Sequence, residues 1–491
     1  MRFPLTLKTF PGVLTLTLAG WLAVAGLHAA DYYCDPVNGS MRNPGTMESP
    51  WGALETVFAN GRTFASGDVI YLRDGFHGAP VVTGGPASGS VSIRPQDGNS
   101  PKLRRLGVDH AQHWIISGLN ISQENAGDVD RVDQKGAVRG LVDILPSSHH
   151  ITVENCAIRC STSVSGWSRS DFGARMGTGV HVAGVHCTIR KNHIRNIRTG
   201  VWVQFEADNV VVSENVVEDI LNDGIFALSN DGLYEYNTLR NWYGVNSNHD
   251  DGIQSWTSGG GNGIPTGERT LYRNVFRGNT IINNTTGPGR PFPDDEGHGV
   301  NGMGFFSGMF VDFVFENNVI IVDHVHALTV LGATGCRIVN NTVIQNPYHP
   351  KNNIPIITIR HHKSYPEHPS LASSGNIIEN NFASDLPSGR DYWAAQGVVD
   401  YPNASNFESQ SHNANFAYYP ADNLNSGYDL HLKSTSGAVG IGRTAHAPVI
   451  DHDRVARSVP YDAGAFESGA TPEAPLTSNP AAARGHIDRQ P

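Results

Sequence analysis

Apolar residues along most of this chain recur in short runs, each preceded by a polar corner. The most regular corner is an asparagine just before an apolar pair, at Asn192, Asn215, Asn237, Asn279, Asn318, Asn341 and Asn381. Asn192, Asn215 and Asn237 are 23 and 22 residues apart. The intervals of 42 and 39 that lead to Asn279 and Asn318, and of 40 that leads to Asn381, fit coils carrying insertions. A period in this range marks a solenoid, in which each unit buries its apolar face only against its neighbours. An asparagine at a bend tolerates a left-handed backbone, and its amide can hydrogen-bond the asparagine of the next coil.

A second register begins with glycine, at Gly179, Gly200, Gly224 and Gly252, spaced 21, 24 and 28 residues apart. The segments after these glycines alternate with period two, which points Val180, Val201, Ile225 and Ile253 inward. His181, Trp202, Phe226 and Gln254 then form an outward column on one sheet. No long stretch shows apolar residues at three-and-four spacing, so a helical solenoid fails. The pattern predicts an all-β chain, a right-handed parallel β-helix of three-strand coils. An amphipathic stretch from Pro50 to Phe64 predicts the helix that caps its open N-terminal end.

The organisation follows from the same pattern. Residues 1–30 read as a signal peptide, with Arg2 and Lys8, an apolar run near Val13 to Leu27, and small residues at Ala29 and Ala30. That run is short for a membrane span, so a soluble mature protein, secreted or periplasmic and monomeric, is expected. Residues 31–467 form one β-helix domain, with the cap and first coils in 31–105, coils from about Leu106 to Ser384, and closing coils in 385–467. The remaining 468–491 are rich in Ala, Pro and Ser and are expected to be disordered. At 491 residues with 54 Gly and only 16% charged residues, the chain need not split into globular domains, because a solenoid grows by adding coils. Five cysteines, Cys34, Cys156, Cys160, Cys187 and Cys336, cannot all pair within one chain. Cys187 and Cys336 sit five residues before ladder asparagines and are expected to point inward. A disulfide among Cys156, Cys160 and Cys187 stays open.

Two resemblances bear on function. Tyr32 to Ser40, Asn43-Pro44-Gly45-Thr46 and Gly67 to Leu72 look like the opening segment of bacterial pectate-lyase-like β-helix enzymes. Arg240-Asn241-Trp242-Tyr243 through His249-Asp250-Asp251-Gly252-Ile253-Gln254-Ser255-Trp256 is similar to the family nine pectate lyases. In that family, paired aspartates, an aspartate three residues later and one from the preceding coil bind calcium. The resemblance therefore implies calcium at Asp223, Asp250 and Asp251, with Gln254 at the remaining position. That family's catalytic lysine aligns with Phe306. The order Asn222-Asp223, Asp250-Asp251 and Gly297-His298-Gly299 is similar to polygalacturonase-type glycoside hydrolases, in which three aspartates act as acid and base with a supporting histidine. Arg360 is the nearest counterpart of that family's later arginine.

The chemistry gives these residues a reason to cluster. Asp223 and Asp251 immediately precede strand glycines on consecutive coils, so they should lie one strand spacing apart, roughly 5 Å. Carboxylates that close either share a cation or shift their pKa values apart. Asp-Gly is also ordinary turn chemistry, but the adjacent Asp250-Asp251 pair after His249 exceeds what a turn requires. The insertions Thr257–Glu268 and Gly287–Asn301 are candidate functional loops, since long loops on a rigid scaffold commonly carry function. Candidate bases or carboxylate clamps are His298, His324, His326 and Arg360, with His298 and Arg360 favoured. Trp202, Phe226 and Trp256 suit stacking against sugar rings, with Gln254, His324 and His326 also placed to bind substrate. A net charge of −11 argues against nucleic acid as a partner. The family nine resemblance and the calcium site it implies favour a secreted enzyme acting on a uronic-acid-containing polysaccharide by β-elimination. A glycoside hydrolase using Asp223, Asp250 and Asp251, or a non-catalytic carbohydrate-binding solenoid, are the alternatives.

Overall fold

The computed structural model describes residues 29–127, 139–245, 250–257, 269–283, 299–346, 353–387, 394–400, 405–420 and 427–469. Each coil uses three short strands, because each run between polar corners is only long enough to cross one face. One coil runs through Thr188–Arg190 and His193–Val203, the latter bent at Asn196; the next runs through Val211–Ser213 and Val216–Ala227. Successive coils pair in parallel, Thr188 on Val211 and Val211 on Leu233 on one face. Among the described residues, every strand-to-strand pairing is parallel except Phe416–Tyr418 with Asp429–Leu432. The chain is a right-handed parallel β-helix.

The core is the stack of inward columns. Val180, Val201, Ile225 and Ile253 lie one above the next and are fully buried, as the alternation predicts. Each such side chain is worth about 1.5–3 kcal/mol of burial. The asparagine ladder is continuous. Asn192 Nδ2 donates to Asn215 Oδ1 (3.0 Å), Asn215 to Asn237 (3.0 Å), Asn237 to Asn279 (3.0 Å) and Asn279 to Asn318 (3.0 Å). Asn318 continues to Asn341 (2.9 Å), Asn341 to Asn381 (3.0 Å), and Asn381 to Asn406 (3.0 Å), one rung beyond those the pattern marked.

One detail differs from the expectation. The left-handed residue is not the ladder asparagine but the one before it: Lys191 (φ 56), Glu214 (φ 55), Tyr236 (φ 53), Asn317 (φ 55), Asn340 (φ 54) and Asn380 (φ 58). The asparagine is therefore there for its amide, which satisfies buried backbone groups, and not for its backbone freedom.

The cap is also shorter than the amphipathic stretch suggested. Its helix covers Leu54–Ala59 and presses Leu54, Val57 and Phe58 onto the first coils. It stops at Asn60 and Gly61, the latter at φ +66. At the other end, stacking continues through Phe407–Glu408. The chain then folds back along the flank of the solenoid. Phe416, Tyr419, Leu430, Leu432 and Phe466 pack against Ile282, Val319, Ile321, Ile344 and Phe382. Buried Arg457 fixes the return by bonding Glu467 (3.0 Å) and Asn317 Oδ1 (2.8 Å).

All five cysteines are free and buried, so the open disulfide does not form. Cys187 and Cys336 are fully buried, and burial pushes both thiols up to about 12. No helix among the described residues is long and apolar enough to cross a membrane.

Candidate active site

The site is built on three consecutive strands of one sheet: Val216–Ala227, Asp251–Trp256 and Asn301–Ser307. Ile225 pairs with Ile253 and Asp251 with Asn301, so Thr199, Asp223, Asp251 and Asn301 form one column. The recurrent glycine sets the direction of these side chains. A Cβ at Gly252 would meet Ile281 Cγ2 at 2.6 Å, in the core. The glycine thus faces inward at a point with no room, and the aspartate before it turns outward.

Asp223 and Asp251 are stacked as the spacing predicts. The Asp251 backbone N–H donates to Asp223 Oδ1 (3.1 Å), and Gln254 Nε2 donates to Asp251 Oδ2 (2.9 Å). Asp223 is 4% exposed, and Asp250 and Asp251 are 0% exposed. Asp251 Oδ1 and Asn301 Oδ1 have no hydrogen-bond partner. Gly304 makes the space for this: a Cβ there would lie 2.5 Å from Asp251 Oδ1 and 2.5 Å from the Phe306 ring. Asp251 is fully buried on the side where the Phe306 ring stands, and the missing side chain of Gly304 leaves room for both.

The electrostatics follow from this enclosure. Burial raises the Asp223 carboxyl to about 8, opposed by the Asp251 N–H and the Arg198 charge. Burial, then the Asp223 charge, push Asp251 well above the ordinary carboxylate range, with the Asn301 amide offsetting part of it. Each carboxylate disfavours ionisation of the other, which is how a buried pair comes to hold a proton or a cation.

The remaining candidates divide by position. Trp202, Phe226 and Gln254 lie in one outward column, and Trp202, Phe226 and Trp256 contact edge to face at 5.6 and 4.5 Å between centroids. This partly exposed aromatic strip starts beside Gln254, and hence beside Asp251. His326 packs edge-on against Phe306 at 5.2 Å, and its backbone N–H donates to His324 Nδ1 (3.2 Å). Both histidines are partly exposed, two coils beyond Asp251. Arg360 does not join the group. It is exposed, three coils on at the far end of its strand, on the order of 20 Å from Asp251 by coil spacing and strand rise. His298 and His249, with most of both insertions, lie outside the described residues.

Sequence reasoning missed three features. Asn301 occupies the aspartate column, but its place could not be read across a 50-residue interval. Lys363, one of the basic residues after Arg360 open to a clamp role, has a contact the sequence could not give: it reaches back to Ser307 Oγ (2.8 Å) on the strand after the aspartates. His181, at the head of the aromatic column, forms a buried pair with Asp143 (2.8 Å) and packs edge-on against Trp202. A cavity of about 240 Å³ lined by Arg159, Thr162, His193 and Arg195 lies one bend upstream and is separate from the carboxylates.

No protein-family model matches the chain, and no curated protein is similar to it in sequence. Solved structures do match in shape. The complex of XylC with xylose aligns at a TM-score of 0.50 and 7% identity, covering 89% of this chain and 98% of that one. Pectate lyase Pel9A aligns at 0.46 and 14% identity, over 90% and 98% of the two chains. An alginate lyase from Paenibacillus aligns at 0.41 and 15% identity, over 66% and 97%. The chain shares the parallel β-helix fold that its own strand register shows. At these identities the likeness concerns the fold, and function has to be argued from the site.

Proposed function

We propose that this protein is an exported polysaccharide-degrading enzyme that cleaves a uronic-acid-containing polymer by β-elimination at the Asp223–Asp251 pair. The observation that carries this reading is the stacked, buried carboxylate pair at the foot of the aromatic strip formed by Trp202, Phe226 and Trp256. The strip suits a row of sugar rings, whose apolar faces stack on aromatic side chains. The pair suits the chemistry at one of those rings. The leader-like first thirty residues support export.

Calcium is the cofactor implied by the resemblance, and Asp223, Asp251 and Asn301 offer it oxygen donors from one column. These are hard oxygen donors of the kind calcium takes, but Asp223, Asp250 and Asp251 do not bring three carboxylates together as one ligand cluster, so the set is the stacked pair with Asn301 and leaves Asp250 out. The unpartnered Asp251 Oδ1 and Asn301 Oδ1 are the atoms left to be satisfied. When bound there, calcium would neutralise a uronate carboxylate and acidify the adjacent C5 proton. The chain's own groups have separate tasks. Phe306 flanks Asp251, Gln254 holds Asp251 in place, and a histidine accepts the C5 proton. Candidates for that base are His298 and His326, the second placed by its contact with Phe306. Positioning such a base is worth roughly 10²–10⁴-fold in rate. Arg360 and Lys363, at the far end of the sheet, suit holding a carboxylate on a distant sugar.

The raised Asp223 and Asp251 favour one second reading, hydrolysis. A carboxyl that keeps its proton near neutral pH can protonate a leaving oxygen while its partner activates water. The test is incubation with acidic and neutral polysaccharides, following unsaturated-uronate absorbance and reducing ends with and without a chelator. Absorbance and reducing ends together, abolished by chelation and restored by calcium, support elimination. Reducing ends alone, surviving chelation, support hydrolysis. Neither signal on any polymer leaves a binding protein and overturns both readings.

A further inference from the structure

Among the described residues, one cluster of three potential metal ligands stands out: His113, His149 and His150, whose candidate nitrogens all lie within 4.8 Å of one another. The repeat brings them together. His113, His150 and His186 occupy the same bend on three consecutive coils, each in the left-handed region at φ 57, 55 and 55. Their rings stack, His113 on His150 at 4.7 Å and His150 on His186 at 4.9 Å. His149 comes in from the side, with its Nδ1 2.9 Å from His150 Nδ1.

Nothing in the β-helix requires histidine here. Asn209 takes up the same bend on the following coil at φ 58, and Asp231 at φ 54 on the one after. Two Nδ1 atoms at this separation can share a proton only if one ring carries it there, whereas a divalent cation accepts both lone pairs at once. The chemistry also differs from that of the aspartate site. Imidazole nitrogens suit zinc, copper or nickel, while calcium prefers oxygen.

We propose that His113, His149 and His150 form a transition-metal site, for zinc or a similar borderline divalent ion, that ties two consecutive coils together. His186 or water completes the set of ligands. A tetrahedral site with metal–nitrogen distances of about 2.1 Å places its nitrogens about 3.4 Å apart. The present nitrogens bracket that spacing, from 2.9 Å between His149 and His150 Nδ1 to within 4.8 Å across the group. His150 is exposed and His113 and His149 partly so, which gives the ion a path from solvent.

The test is calorimetric titration of the untagged full chain with zinc chloride alone, in the presence of excess calcium to occupy the acidic pocket. The variants are His113→Asn and His150→Asn, which keep the bend because Asn209 already adopts it, and His149→Ala, whose backbone is not left-handed. His368→Ala is the control for adventitious surface histidines. We expect one saturable zinc per chain, weakened roughly tenfold or more in each of the three variants and unchanged in the control, since even outer-shell losses cost about 10–100-fold. Zinc should also raise the melting temperature of the wild type but not of the variants. Zinc binding that is absent in the wild type, or that keeps its affinity in a folded His149→Ala or His150→Asn chain, overturns the proposal.

Discussion

Replacing Asn215 by Ala is the sharpest test of what holds the coils together. Its side chain is fully buried and makes four hydrogen bonds. It accepts from the Asn192 backbone N–H (3.0 Å) and Asn192 Nδ2 (3.0 Å), and donates to Ile189 O (2.8 Å) and Asn237 Oδ1 (3.0 Å). At about 1 kcal/mol net per bond the loss is about 4 kcal/mol, and a stranded buried N–H at Asn192 adds about 1–3 kcal/mol. The expected destabilisation is therefore roughly 5–7 kcal/mol, a large part of the roughly 5–15 kcal/mol typical of a folded domain. Asn215→Asp should be worse at neutral pH, since it loses both donors and buries a charge against Asn237 Oδ1, and should recover on acidification. Exposed Asn209→Ala should cost only about 1–2 kcal/mol, the strain of a left-handed Ala. Urea titration followed by tryptophan fluorescence gives the global value. Amide exchange across Ile189–Val217 detects local opening, which a solenoid permits. If Asn215→Ala costs under about 1 kcal/mol and leaves exchange unchanged, the ladder contributes turn geometry and little else.

Three further outcomes follow from the site. Asp251→Asn preserves shape while removing one of two opposed buried carboxylates, so cleavage should fall roughly 10²–10⁴-fold with the melting temperature unchanged or higher; full turnover in this variant would reduce the pair to turn formers. The folded Asp223 carboxyl is raised to about 8, against about 3.9 when unfolded. Its contribution is thus greatest below pH 4 and is lost as pH rises towards 8, so in metal-free buffer stability should decline across that window and Asp223→Asn should flatten the slope; a wild-type curve already flat there contradicts the assigned shift. Gly304→Ala puts a methyl 2.5 Å from both Asp251 Oδ1 and the Phe306 ring, so it should cost roughly 1–3 kcal/mol and reduce activity together, and a fully active, equally stable variant would mean the pocket wall is not where it stands here.

The repeat made the architecture legible. Asparagines and glycines at near-constant offsets fixed the ladder, the inward column of Val180, Val201, Ile225 and Ile253, and the stacking of Asp223 on Asp251, because identical offsets from a bend put residues in one column whatever lies between. What the period could not convey is what closes over each column. That Asn301 continues the aspartate column depends on how a long insertion returns to register. That Gly304 leaves room for Asp251 Oδ1 and the Phe306 ring depends on side chains from two coils meeting. The rise of the two carboxyl pKa values depends on the water that this enclosure excludes. The C-terminal return onto Val319 and Ile321 was hidden for a related reason: a strand apolar on both faces announces that something covers it, without saying which segment does. Local alternation and repetition therefore set the fold and its columns. Burial, and with it the chemistry available to Asp223 and Asp251, came only from contacts between coils distant in sequence.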